Sequence, residues 1–256
     1  MASQRKHYIL FILWTLFCIV SAGEFVQLDD DALDKGFLVW TGTRPINQGT
    51  KITDEDLSNL ARDAHVDMTK DFEDKKSRLP PWAKKKLPHV MASLVGPAGD
   101  KIYFASSIKS LPAKVRLVDH MKDLGIVGTK VARKLEQCQG GVDITTKEGV
   151  KHVNKASCGE IMLSVLYFLD RTENADIGGS RIVAVAKEGD NIVVKNYCSK
   201  KDGQEDSYGC SEFLQELGIN YTPAQVNGGT RQAVLAGLGS KGQISLCPAS
   251  PIRAKL

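Results

Sequence analysis

The segment Ser157-Cys158-Gly159-Glu160-Ile161-Met162-Leu163-Ser164-Val165-Leu166-Tyr167-Phe168-Leu169-Asp170 carries almost no polar face between Glu160 and Asp170. A helix that is apolar all round is a buried helix. Here that means a helix packed on a sheet and covered again on its far side. Arg181–Lys187 and Asn191–Tyr197, two runs rich in Ile and Val, follow as strands separated by Glu188-Gly189-Asp190. Upstream, Thr53 precedes three acids that suit the positive end of a helix. Leu57, Leu60, Ala61, Ala64, Met68 and Phe72 then recur at helical spacing, which predicts an amphipathic helix over 54–74. Val90–Leu94 and Lys101–Ser106, joined by Gly96-Pro97-Ala98-Gly99-Asp100, read as a hairpin.

The remaining elements are weaker. Phe37–Trp40 reads as a short strand ended by Thr41-Gly42, and Leu117–Leu135 carries a broken helical pattern. Cys210–Leu217 reads as a short helix stopped by Gly218. A helix from after Gly228 to about Leu238 and a strand at Ile244–Cys247 close the chain. Helices alternating with strands around one sheet predict a layered α/β domain.

The N-terminus reads as a secretory signal. Arg5, Lys6 and His7 precede the uncharged apolar run Tyr8–Val20, and Ser21-Ala22-Gly23 offers a cleavage site. The run is 13 residues, short of the roughly 20 that span a bilayer. The expected product is extracellular, begins near residue 24 and has no membrane segment. Cleavage removes Arg5 and Lys6 and no acid, so the net charge falls from +4 to +2. That balance does not by itself predict nucleic-acid binding. A local basic cluster, Lys75 to Lys86 around Trp82, is interrupted by Pro80-Pro81 and reads as a solvated helix end. Asn220-Tyr221-Thr222 is a glycosylation sequon, with Pro223 directly after it. Nothing in the sequence sets the oligomeric state.

Of six cysteines, Cys18 leaves with the signal, so Cys138, Cys158, Cys198, Cys210 and Cys247 remain. Five is odd, and disulfides alone cannot use them all within one chain. Cys158 and Glu160 lie two residues apart at a helix start, and Cys198 and Cys210 follow on a strand end and a helix start. Three thiolates with an open fourth position suit a catalytic zinc ion. Three ligands and a Cys138–Cys247 bridge would use all five. Other readings stay open. Ser157 and Glu160 match a capping box, Cys198 and Cys210 could instead form a disulfide, and Cys158 could be the nucleophile of a cysteine hydrolase. His152 and Asn154, in the loop entering the helix, are placed to line a pocket mouth. No phosphate-loop or dinucleotide pattern occurs.

Cys158-Gly159-Glu160 resembles the first motif of the zinc-dependent cytidine deaminase-like superfamily, in its cysteine form, and the order of elements over 50–218 is similar to that family's. The second motif departs: Tyr197 stands where the family has Pro, and eleven residues lie between Cys198 and Cys210 where the motif has two. The resemblance implies a three-layer α/β/α fold with a mixed central sheet over 24–256, with 24–50 as an extension and 108–156 as an insertion. It implies zinc on Cys158, Cys198 and Cys210, with Glu160 as general acid/base. The reaction expected is hydrolytic deamination of a base, nucleoside or nucleic acid. A secreted interaction protein that keeps this fold without the chemistry is the alternative.

Overall fold

The computed structural model describes residues 25–110, 125–138, 154, 156–171, 175–198 and 209–221. The signal segment, His152, Cys247, the elements expected beyond residue 228 and most of 108–156 lie outside them.

The chain is a mixed α/β structure. Strands β1 (Gln27–Leu28), β3 (Trp40–Pro45), β5 (Lys101–Ser106), β4 (Val90–Val95), β7 (Arg181–Glu188) and β8 (Asn191–Val194) lie side by side in that order, each antiparallel to its neighbour. A seventh strand, β9 (Asn220–Tyr221), runs parallel to the start of β7. Two further strands, β2 (Phe37–Leu38) and β6 (Lys109–Ser110), form a separate antiparallel pair. The helices are α1 (Asp30–Asp34), α2 (Asp54–Lys75), α3 (Gly125–Cys138), α4 (Gly159–Asp170) and α5 (Cys210–Glu216).

Period-two alternation divides the strands between two cores. Met91, Val95, Ile102, Phe104, Val183 and Val185 face α2. Ala92, Leu94, Tyr103, Ala105, Ile182 and Ala184 face α4. Helix α2 begins at the expected Thr53, where Thr53 Oγ1 accepts from the Asp56 amide and the Asp56 carboxylate accepts from the Thr53 amide. Its predicted apolar stripe is buried. Helix α4 is buried from Gly159 to Phe168, with α3 and α5 closing the side away from the sheet.

Two strand readings change. Thr41-Gly42 does not end a strand, because β3 runs on to Pro45. Gly42 is there for a close approach: a Cβ would lie 2.0 Å from the Phe25 carbonyl oxygen. The second change is at the site. The strand expected over 191–197 stops at Val194, so Cys198 lies on a segment leaving the sheet and not at a strand end. Along β7, pairing passes from β8 at residues 185–188 to β9 at 181–182. Between them the Lys195 amide donates to Ala184 O and the Tyr197 hydroxyl to Ile182 O, each with one bond. The outgoing chain carries Cys198 away from this split edge.

Among the described residues no helix is long and apolar enough to cross a membrane. Half of the basic cluster is engaged locally. Lys75 pairs with Asp71, Lys76 with Glu73, and Lys86 donates to Ser110 O while lying 5.7 Å from the Trp82 ring centre. Asn220 is exposed, with its amide bonded to Ser180 O.

Candidate functional site

Cys158, Cys198 and Cys210 converge, with their sulfurs all within 4.8 Å of one another. Three separate pieces of chain deliver them. Cys158 is the N-cap residue of α4, in extended backbone. The turn ahead of it holds Ala156 at φ 58°, a left-handed conformation that costs an alanine about 1 kcal/mol. Gly159 then seats the first turn of α4 on the sheet, since a Cβ there would lie 2.9 Å from Ala105 O and 3.2 Å from the Ala92 Cβ. Cys210 opens α5 and is fully buried. Its amide donates to Cys198 Sγ at 3.2 Å, while the Ser211 amide donates to Cys198 O at 3.1 Å. Cys158 and Cys198 sulfurs are 3.5 Å apart, and the Asn154 side-chain amide donates to Cys158 Sγ at 3.6 Å.

Glu160 is buried beside this cluster, its Oε2 accepting from Cys210 Sγ at 3.8 Å. The capping-box reading does not hold here. No side chain caps α4, and Ser157 Oγ donates to Asn154 O instead. Burial pushes the Glu160 carboxyl up to about 7, partly offset by its own backbone amide, with the Cys198 charge adding to the rise. The thiols are also raised: Cys158 chiefly by its hydrogen bond with Cys198, Cys210 chiefly by burial. Four acids this close cannot all ionise without a compensating cation. Three sulfurs around one point, two of them buried, supply the donor type and spacing that a soft or borderline divalent metal takes. The residues therefore fit a metal ion. No disulfide joins Cys138, Cys158, Cys198 and Cys210 to one another, so the Cys198–Cys210 bridge is not formed.

Beside the cluster lies a cavity of about 530 Å³, lined by Cys158, Glu160 and Cys198 and by Asn154, Asn196 and Ala184. That volume falls within the roughly 300–1,000 Å³ of small-molecule sites. Four of the predicted site residues, Cys158, Glu160, Cys198 and Cys210, are brought together, and Asn154 joins them. No family model, curated protein or solved structure matches this chain. The site therefore rests on its own geometry. Sequence reasoning missed His89, Ser107, Lys109 and Lys195, which also line the cavity. For His89 and Ser107 the signal was positional. They flank the hairpin, whose ends are joined by the Ser107 N–Val90 O bond and which meets the segment entering α4 through Ile108 N–Ser157 O.

Proposed function

We propose that this chain is an exported zinc-dependent hydrolytic deaminase acting on a nucleobase, nucleoside or nucleic acid, on a three-layer fold similar to the cytidine deaminases. One observation carries the reading: three cysteine sulfurs converge beside a buried carboxylate, and two of those sulfurs, Cys158 and Cys198, line one cavity with Glu160. The order helix, hairpin, motif helix, strand, cysteine-bearing helix supports it.

Bound to Cys158, Cys198 and Cys210, zinc would supply a Lewis acid that makes water a nucleophile near neutral pH. The chain's own part is positioning and proton transfer. Gly159 fixes Cys158 and Glu160 against the sheet, so the carboxylate stands beside the ligand sulfurs with no rotational search. Glu160 lines the cavity from a buried position, where it can take a proton from one bound group and return it to a departing amine. Asn154 holds the Cys158 sulfur and contributes a donor at the cavity wall. Cys198, the least buried of the three, would be the ligand nearest solvent.

The test is ammonia release by the zinc-loaded protein from a panel of bases, nucleosides and single-stranded oligonucleotides. Wild type and Glu160→Gln are compared at equal zinc content. Loss of a proton-transfer group should lower the rate by about 10²-fold or more. Equal rates in the two proteins, or no release from any member of the panel, would sink the enzyme reading and leave a metal-binding interaction protein. Export is tested by N-terminal sequencing of the secreted product, which should begin near residue 24.

A further inference from the structure

The segments at the hairpin ends contribute His89, Ser107 and Lys109 to the cavity lining. Lys109 is half-buried on β6, and no described residue gives its ammonium a hydrogen bond or an ion pair. The other lining lysine differs. Lys195 already meets Glu188, which lies outside the cavity. Among the described residues Glu160 is the single carboxylate of the lining, and it lies beside the sulfurs. Lys86 lies near enough to Lys109 to add positive potential; its ammonium donates to Ser110 O, and it has no acid partner among the described residues. Burial and that neighbouring charge lower the Lys109 pKa, and no carboxylate among the described residues counteracts them. A half-desolvated ammonium without a counter-ion is an unfavourable arrangement that an anion in the cavity would relieve.

We propose that Lys109, with His89 and Ser107 beside it, forms an anion subsite that takes a phosphate ester of the ligand whose reactive end reaches Glu160. This deepens the reading given above and rests on that cavity being the substrate site. Lys is an effective point-charge partner for phosphate, and an ester phosphate brings up to two negative charges and several acceptor oxygens. A carbonyl or hydroxyl would leave the ammonium uncompensated. The phosphate belongs either to a mononucleotide or to the backbone of a single strand.

The subsite is tested without relying on turnover. Lysines of the zinc-loaded protein are acetylated in competition and Lys109 labelling is read by mass spectrometry. The added probes are pyrophosphate, the four 5′-mononucleotides, the four nucleosides, or a short mixed-sequence single-stranded oligonucleotide. Saturating mononucleotides should reduce Lys109 labelling on the order of tenfold, the scale of a hydrogen bond to a charged group. Nucleosides should leave it unchanged. Lys109→Gln should weaken mononucleotide binding by a similar factor and leave nucleoside binding as it was. Protection by the oligonucleotide alone would also support the subsite and assign its phosphate to a strand. Protection by pyrophosphate with no effect of any nucleotide or oligonucleotide would keep the anion site and remove the nucleotide substrate. Equal protection by nucleosides and mononucleotides, or no protection by any probe, would overturn it.

Discussion

Gly159→Ala isolates the contact that seats the candidate site on the sheet. A Cβ at this position would stand 2.9 Å from the Ala105 carbonyl oxygen and 3.2 Å from the Ala92 Cβ. The carbonyl belongs to a central strand paired on both sides, so it cannot swing away. The first turn of α4 must therefore lift by several tenths of an ångström. Forcing a methyl into a packed interface costs about 1–3 kcal/mol, while Gly to Ala in a helix returns up to about 1 kcal/mol. The net is a destabilisation of about 1–2 kcal/mol, or roughly 3–6 °C in melting midpoint for a chain of this size. The site should suffer more than the fold does. Cys158 and Glu160 flank the displaced residue, and changes in what orients metal ligands cost about 10- to 100-fold in affinity. Urea unfolding and competitive zinc titration of the same preparations check both numbers. A Gly159→Ala protein as stable as wild type, with unchanged zinc affinity, would refute the close-seating account.

Ser in place of Cys158, Cys198 or Cys210 should remove tight zinc binding. Chelation should then lower the stability of the wild type, by about 2.7 kcal/mol when free zinc had stood at 100 times Kd, and leave the melting midpoint of the variants unchanged. Gly42→Ala should cost about 3 kcal/mol, because its Cβ would meet Phe25 O at 2.0 Å. Hydrogen exchange at residues 25–28 should report the loss first. His65 is buried on α2, with Nε2 3.2 Å from His89 O, and burial lowers its pKa below 6.5. The unfolded chain therefore binds a proton that the folded chain resists. Stability is complete above pH 6.5 and falls as the pH drops through and below that value. His65→Gln should flatten that limb in a series of melting midpoints from about pH 7.5 to 5; an unchanged slope would contradict it.

Much of this organisation is written in local signals. The Thr53–Asp56 box and the stripe from Leu57 to Phe72 specify α2 without help from the rest of the chain. The all-apolar run after Glu160 specifies α4 as buried. What the sequence hid depends on partners remote in the chain. Gly42 looks like a turn residue until Phe25 is seen across it. Strand β8 looks longer than it is because Tyr197 satisfies the apolar pattern while its hydroxyl bonds to Ile182 O. The Ser157/Glu160 cap fails because α4 takes Cys158 as its N-cap, one residue later than the box requires, leaving Ser157 to bond Asn154 O and Glu160 to meet Cys210. Lys109 had no local signal at all, since its place in the cavity follows from β6 pairing with β2 and from the Ile108–Ser157 bond.

The spacing between Cys198 and Cys210 is the point at which motif and geometry part. A two-residue link between ligands constrains both at once, and eleven residues would not do so as a free tether. The ends of this link are nonetheless fixed to each other: the Cys210 amide donates to Cys198 Sγ and the Ser211 amide to Cys198 O. Cys198 is held again from the sheet side, where the Lys195 amide and the Tyr197 hydroxyl bond to β7. Its sulfur is thus positioned by the split edge and by the first turn of α5, not by the length of chain between. Going from two to eleven residues adds only roughly 1.5 kcal/mol of closure entropy. One hydrogen bond to a charged acceptor, at about 1.5–3 kcal/mol, offsets that. A longer link therefore leaves the three-sulfur geometry intact, and it follows that shortening the 199–209 segment should raise stability slightly without changing zinc affinity.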